Sequence, residues 1–125
     1  MEITITTSKK QELIDITEKI NSLVNIESGI CHLFVPHTTA AITINENADP
    51  DVKEDLLNAL NKIIPNMPYK HSEGNSPAHI ASSLLSPSLT IPIENKKLKL
   101  GTWQGILFYE GDGPRNRKLI IIQSQ

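Results

Sequence analysis

Ile3 and Ile5 alternate with Glu2, Thr4 and Thr6 over residues 1–6, the period of a half-buried strand. Ser8 with Gln11 three positions on has the form of a capping box. Leu13, Ile16, Ile20, Leu23 and Val24 then recur at helical spacing, which predicts a first helix over 9–24. Residues 30–35 alternate Cys31, Leu33 and Val35 against His32 and Phe34, and the alternation resumes over 40–44 after Pro36-His37. Two neighbouring strands are expected there. Asp49-Pro50 supplies an N-cap and a first-turn proline, and the stripe Val52, Leu56, Ala59, Leu60 and Ile63 makes a second helix that Pro65 ends.

Residues 65–76 hold prolines, asparagines and Gly74 without hydrophobic period and read as a loop. Ser76-Pro77 repeats the cap-and-proline device before a short third helix over 78–85, stopped by Ser86-Pro87. Leu89, Ile91 and Ile93 alternate, Asn95-Lys96 suits a tight turn, and Leu98 and Leu100 alternate beyond it, which predicts a hairpin. Two further apolar runs, 106–109 and 118–122, flank Gly111-Asp112-Gly113-Pro114. The expected fold is a single α+β domain over 1–125. It is sheet-rich, with mostly antiparallel strands in a sandwich or barrel-like core, two main helices and one short helix.

Composition narrows the class of molecule. A chain of 125 residues suits one domain that buries about two-thirds of its unfolded surface. Hydrophobic residues are only 38% and aromatic residues number five, so a neighbouring subunit is expected to complete part of the apolar surface. A formal charge of -2 with scattered lysines forms no long basic stripe, which argues against nucleic acid as a partner. Cys31 is the single cysteine and cannot form an internal disulfide. MEITITTSKK has no positively charged start followed by an apolar stretch, and no apolar run approaches the roughly 20 residues of a membrane span. These features predict a soluble, cytoplasmic protein.

Four polar clusters sit beside strands: PHTTA at 36–40, NENADP at 45–50, HSEGNSPAH at 71–79 and GDGPRNR at 111–117. Asp49 is explained by its capping position, whereas Glu46 has no capping duty and can ligate a metal or handle a proton at a strand end. If Ser76 caps the third helix, His79 lies in its first turn, where the positive end of the dipole disfavours imidazolium and favours a metal-binding or proton-accepting imidazole. Gly74 allows the loop to fold His71 back toward His79, although their spacing matches no closed zinc motif. His37 reads either as a turn residue or as a site residue, and His32 as packing. Arg115 and Arg117 suit a phosphate or carboxylate, and equally suit a solvated turn. Trp103, between Gly101 and Gly105, points to the core or to a subunit interface.

HTTAAITINENADP, HSEGNSPAHI, SLTIPI, LGTWQGI and DGPR, in this order, resemble the YjbQ-like family, often called secondary thiamine-phosphate synthases, over essentially the whole chain. The departures fall in turns: Ser86 and Lys96 where members commonly carry glycine, and Gly111 where Phe is common. The resemblance implies an α+β fold, a homotrimer and a weak ability to join a pyrimidine methyl pyrophosphate to a thiazole phosphate. It also implies a polar pocket of His37, Glu46, Asp49, His71, His79 and Arg115. In that pocket a divalent ion, Mg or Zn, would be held by Asp49, His71 and His79, while Arg115 binds phosphate and His37 and Glu46 serve the chemistry. Two rival functions use the same groups: a metal-dependent hydrolase of a small phosphorylated or amide substrate, and a non-catalytic carrier of a small anion.

Overall fold

A computed structural model describes all 125 residues. Eight strands and three helices follow one another as β1 (Glu2–Thr6), β2 (Glu12–Asp15), α1 (Thr17–Asn21), β3 (Gly29–Phe34), β4 (Ala40–Glu46), α2 (Pro50–Ile63), α3 (Ser76–Leu84), β5 (Ser88–Glu94), β6 (Lys97–Leu98), β7 (Gln104–Glu110) and β8 (Asn116–Ser124). They form two antiparallel sheets, one ordered β1-β8-β3-β5-β6 and one ordered β2-β7-β4. This is the expected α+β sandwich.

The main core lies between the sheets. Ile5, Leu33, Ile91, Leu119 and Ile121 from the larger sheet meet Ala40, Ile42, Ile106 and Phe108 from the smaller, with Ile16 and Ile20 alongside. A second cluster covers the outer face of the small sheet, where Leu13, Ala41, Leu107 and Tyr109 pack against Ile64 and Ala81 and half-buried leucines of α2. Strand β7 is therefore covered on both faces, and every residue from Gly105 to Glu110 is buried. That accounts for its continuous rather than alternating apolar run.

The predicted first helix over 9–24 is not one element. Residues 12–15 form β2 against β7, and only five residues are helical after it. The reason is layering: Leu13 packs outward under the helices while Ile14, Ile16 and Ile20 pack into the main core. A single helix would turn Leu13, Ile16 and Ile20 to one side. Of the expected capping box, Ser8 serves a turn instead, in which the Glu12 carboxylate accepts the backbone N–H groups of Ser8 and Lys9 at 2.7 Å each, while the Gln11 amide pairs with Asn61. The short helix is thus the first, and the main helices are α2 and α3.

Other local expectations hold. Asp49 caps α2 by accepting the Asp51 N–H at 2.9 Å. Asn95 and Lys96 both have positive φ, the signature of a two-residue hairpin turn between β5 and β6. For α3 the cap position is Asn75 rather than Ser76, one residue earlier than expected. Strands β3 and β4 are not neighbours but lie in different sheets, and so do β7 and β8. The connections at 35–39 and 111–115 therefore cross the same edge of the sandwich, and both carry polar motifs.

Candidate functional site

These two crossings meet the start of α3 around an open cavity of about 800 Å³. The first crossing contributes His37, Thr38 and Thr39. The loop before α3 contributes His71, Glu73 and Asn75, its first turn His79, and the second crossing Asp112, Arg115 and, at the start of β8, Arg117. Three of the four polar clusters thus converge. Gly74, at φ +78°, turns the loop as expected, and the His71 and His79 rings stand edge to face with centroids 5.3 Å apart. His71 Nε2 lies 3.9 Å from the Glu73 carboxylate.

His37 is half-buried, and its Nε2 accepts the Lys118 backbone N–H at 2.8 Å. That bond leaves the ring proton on Nδ1. Burial, and then the positive charge of Arg117, hold its pKa below the ordinary histidine value, so His37 is neutral at pH 7 and offers an N–H donor. Asp112 anchors the wall by accepting from Asn75 at 2.9 Å and from Arg115 at 3.2 Å. The Asn75 hydrogen bond, partly opposed by burial and helped by the Arg115 charge, keeps its carboxyl below the usual range.

Arg117, one of two arginines for which a solvated turn was an open reading, is instead 2% exposed and paired with fully buried Glu110. Its Nε donates to both Glu110 oxygens at 2.9 and 3.1 Å, and its Nη2 donates to Glu110 and to the Thr39 hydroxyl at 2.8 Å. Burial works to raise the Glu110 pKa, but hydrogen bonds from Arg117, the Asp112 amide and the Thr7 hydroxyl outweigh it and hold the carboxyl below its ordinary value. The sequence did carry a signal for this pair. Arg117 is in period-two phase with buried Leu119 and Ile121, and Glu110 ends the doubly covered run of β7.

Two expected site residues lie elsewhere. Strand β4 leads away from the cavity, and Glu46 stands at its far end opposite Gln104, about 20 Å from Ala40 by strand rise. Asp49 follows it, with a carboxylate oxygen committed to the α2 cap. Neither lines the cavity. A set of Asp49, His71 and His79 is therefore not assembled within one chain, and no three His, Cys, Asp or Glu side chains are grouped to hold an ion. The residues of a single chain do not fit the expected Mg or Zn site.

Comparison with known proteins follows the same whole-chain pattern. The family model described as UPF0047 protein YjbQ-like matches residues 1–124. A UPF0047 protein of Methanocaldococcus jannaschii is 54% identical over 94% of this chain and 88% of its own, and YugU of Bacillus subtilis is 48% identical over 94% and 92%. A crystal structure of a YjbQ/UPF0047 family protein from Clostridium acetobutylicum superposes with a TM-score of 0.95 at 52% identity, covering 99% of both chains. With the family model spanning nearly every residue and relatives this similar, the chain is a member of the YjbQ-like UPF0047 family.

Proposed function

We propose that the cavity is a catalytic site for a small phosphorylated substrate, and that synthesis of thiamine phosphate is the reaction to try first. The observation that supports this is the meeting of His37, His71 and His79 with Arg115 and Arg117 around one open cavity, from segments far apart in sequence. In that reaction the thiazole nitrogen attacks the pyrimidine methylene. A C–N bond forms, the C–O bond to pyrophosphate breaks, and pyrophosphate leaves with the electron pair. Negative charge grows on the leaving oxygens, which is where fixed donors contribute most. The cavity's arginine side supplies the phosphate contact, His37 presents Nδ1–H, and His71 and His79 at the rim orient the pyrimidine or protonate the leaving group. No step is assigned to a metal ion, because one chain assembles no ligand set for it.

The chain is further proposed to work as a cytoplasmic homotrimer. Ile30, Phe34 and Ile122 are exposed on the outer face of the larger sheet, and Phe34 also lines the cavity, so a second copy seated there would border the site. Glu46 would serve the chemistry only if another copy supplied it. Sedimentation equilibrium reads the assembly, and a monomer at micromolar concentration would remove this part. No helix of the chain is long and apolar enough to cross a membrane, and its one thiol is free and buried, which agrees with a reducing compartment.

The deciding experiment incubates purified protein with both thiamine precursors and magnesium, against a His79→Ala control. Thiamine phosphate above the control supports the synthase. Phosphate release from simple esters without synthesis would replace it with the hydrolase. A thermal shift with ligand but no turnover would leave a carrier.

A further inference from the structure

We propose that Arg117, rather than Arg115, is the anion anchor of the cavity, taking a phosphoryl oxygen on Nη1. The inference rests on the reading that the cavity receives a phosphorylated ligand, and adds which residue holds it and why.

The guanidinium of Arg117 is fixed on two of its three nitrogens. Nε is spent on Glu110, and Nη2 is spent on Glu110, the Thr39 hydroxyl and the Thr39 carbonyl at 3.2 Å. Nη1 has no partner among the side-chain hydrogen bonds, and Arg117 lines the cavity although it is 2% exposed. A buried cation that holds one donor edge open toward a cavity is pre-organised for an oxyanion, because no side-chain entropy is lost when the ligand arrives.

The carboxylates nearby do not compete for that edge. Glu110 is engaged by Arg117, Thr7 and the Asp112 amide. Asp112 is engaged by Asn75 and Arg115, with Lys10 at 3.7 Å. Glu73 is exposed on the rim beside His71. The neutral His37 adds an Nδ1–H donor beside Arg117, and donors converging from two elements suit a tetrahedral phosphoryl group.

Arg115 is placed differently. Its side chain is 49% exposed, and its Nε and Nη2 close the turn by donating to the Asp112 carbonyl at 2.9 Å and to the Asp112 carboxylate. It shapes the wall and holds Asp112, while Arg117 faces the ligand.

The test uses inorganic phosphate and pyrophosphate as probes in calorimetric titrations of wild-type, Arg117→Lys and Arg115→Met protein, each checked for folding by circular dichroism. Lysine keeps the charge but loses the fixed Nη1 edge, so phosphate affinity is expected to fall at least about tenfold in Arg117→Lys and less than about threefold in Arg115→Met. If Arg117→Lys does not fold, the Nε–Hε resonances of isotope-labelled wild-type protein serve instead. Phosphate should then shift the Arg117 signal more than the Arg115 signal. A larger loss in Arg115→Met, or a stationary Arg117 signal while phosphate binds, overturns the anchor and leaves the functional reading standing. A wild-type protein that binds neither probe overturns both.

Discussion

Replacing Arg117 by methionine removes one half of a buried ion pair and leaves the other in place. Glu110 is fully buried, and without the guanidinium it keeps only the Thr7 hydroxyl and the Asp112 amide as donors. Orphaning one member of such a pair costs about 3–5 kcal/mol. For a chain of 125 residues, with an unfolding entropy near 2.1 cal/mol/K per residue, each kcal/mol moves Tm by about 4 °C, so Tm should fall by about 12–20 °C. The pH dependence gives a second handle. In the wild type the Glu110 pKa is held below its unfolded value, so its contribution is present above the ordinary glutamate range and lost as pH falls through the folded value. In Arg117→Met the remaining burial pushes the carboxyl the other way, and protonation relieves the orphaned charge. The gap between variant and wild type should therefore narrow from pH 7 toward pH 4. Thermal and urea unfolding at pH 7, 5.5 and 4 measure it. The double variant Arg117→Met/Glu110→Met should recover most of the loss, because an apolar pair has no charge to orphan. A single variant within about 1 kcal/mol of wild type at pH 7, the worth of a surface pair, would refute the reasoning. So would a gap that widens on acidification.

His37→Asn should flatten part of the pH dependence of stability below pH 7. The folded His37 pKa is lowered, so the unfolded chain binds the extra proton first and acidification through the ordinary histidine value destabilises the wild type. A His37 titration midpoint at or above 6.5 by proton NMR would contradict this. Asp49→Ala should cost about 1 kcal/mol through loss of the α2 cap while phosphate affinity is unchanged, and abolished binding in a stable variant would show that Asp49 reaches a site after all. Gly113→Ala should destabilise by about 1–3 kcal/mol, read by urea unfolding, since an added Cβ would clash with the Lys9 carbonyl oxygen. A neutral effect would mean that the turn has slack.

Where one local device decided an element, the chain could be read directly. Asp49-Pro50 started α2, Asn95-Lys96 turned the hairpin, and the alternation in residues 30–35 and the apolar run over 118–122 marked strands whose inner residues do enter the core. It misled where two layers compete for one apolar set. Leu13, Ile16 and Ile20 satisfy helical spacing, yet they serve different cores, and pairing with β7 outweighed the periodicity. The site divided similarly. His37, His71, His79 and Arg115 were legible as polar residues beside turns, and all four line the cavity. Glu110 and the role of Arg117 were marked only by strand phase and by the end of the β7 run, a signal too weak to separate a buried pair from solvated charges until the fold brings the partners together.

The sequence by itself determined the local pieces: caps, turns, strand phase, the absence of a basic stripe and the motifs that mark the family. These depend on residues close together in the chain. Tertiary structure alone decided which pieces meet. It placed β3 and β4 in different sheets, so that two connections cross one edge and bring His37 to Arg117, and it sent Glu46 and Asp49 to the opposite end along β4. The physical reason is that strand pairing over long sequence separation is set by which faces must be buried together. Glu110 and Arg117 became a buried pair only when β7 and β8, in different sheets, closed on each other across that turn.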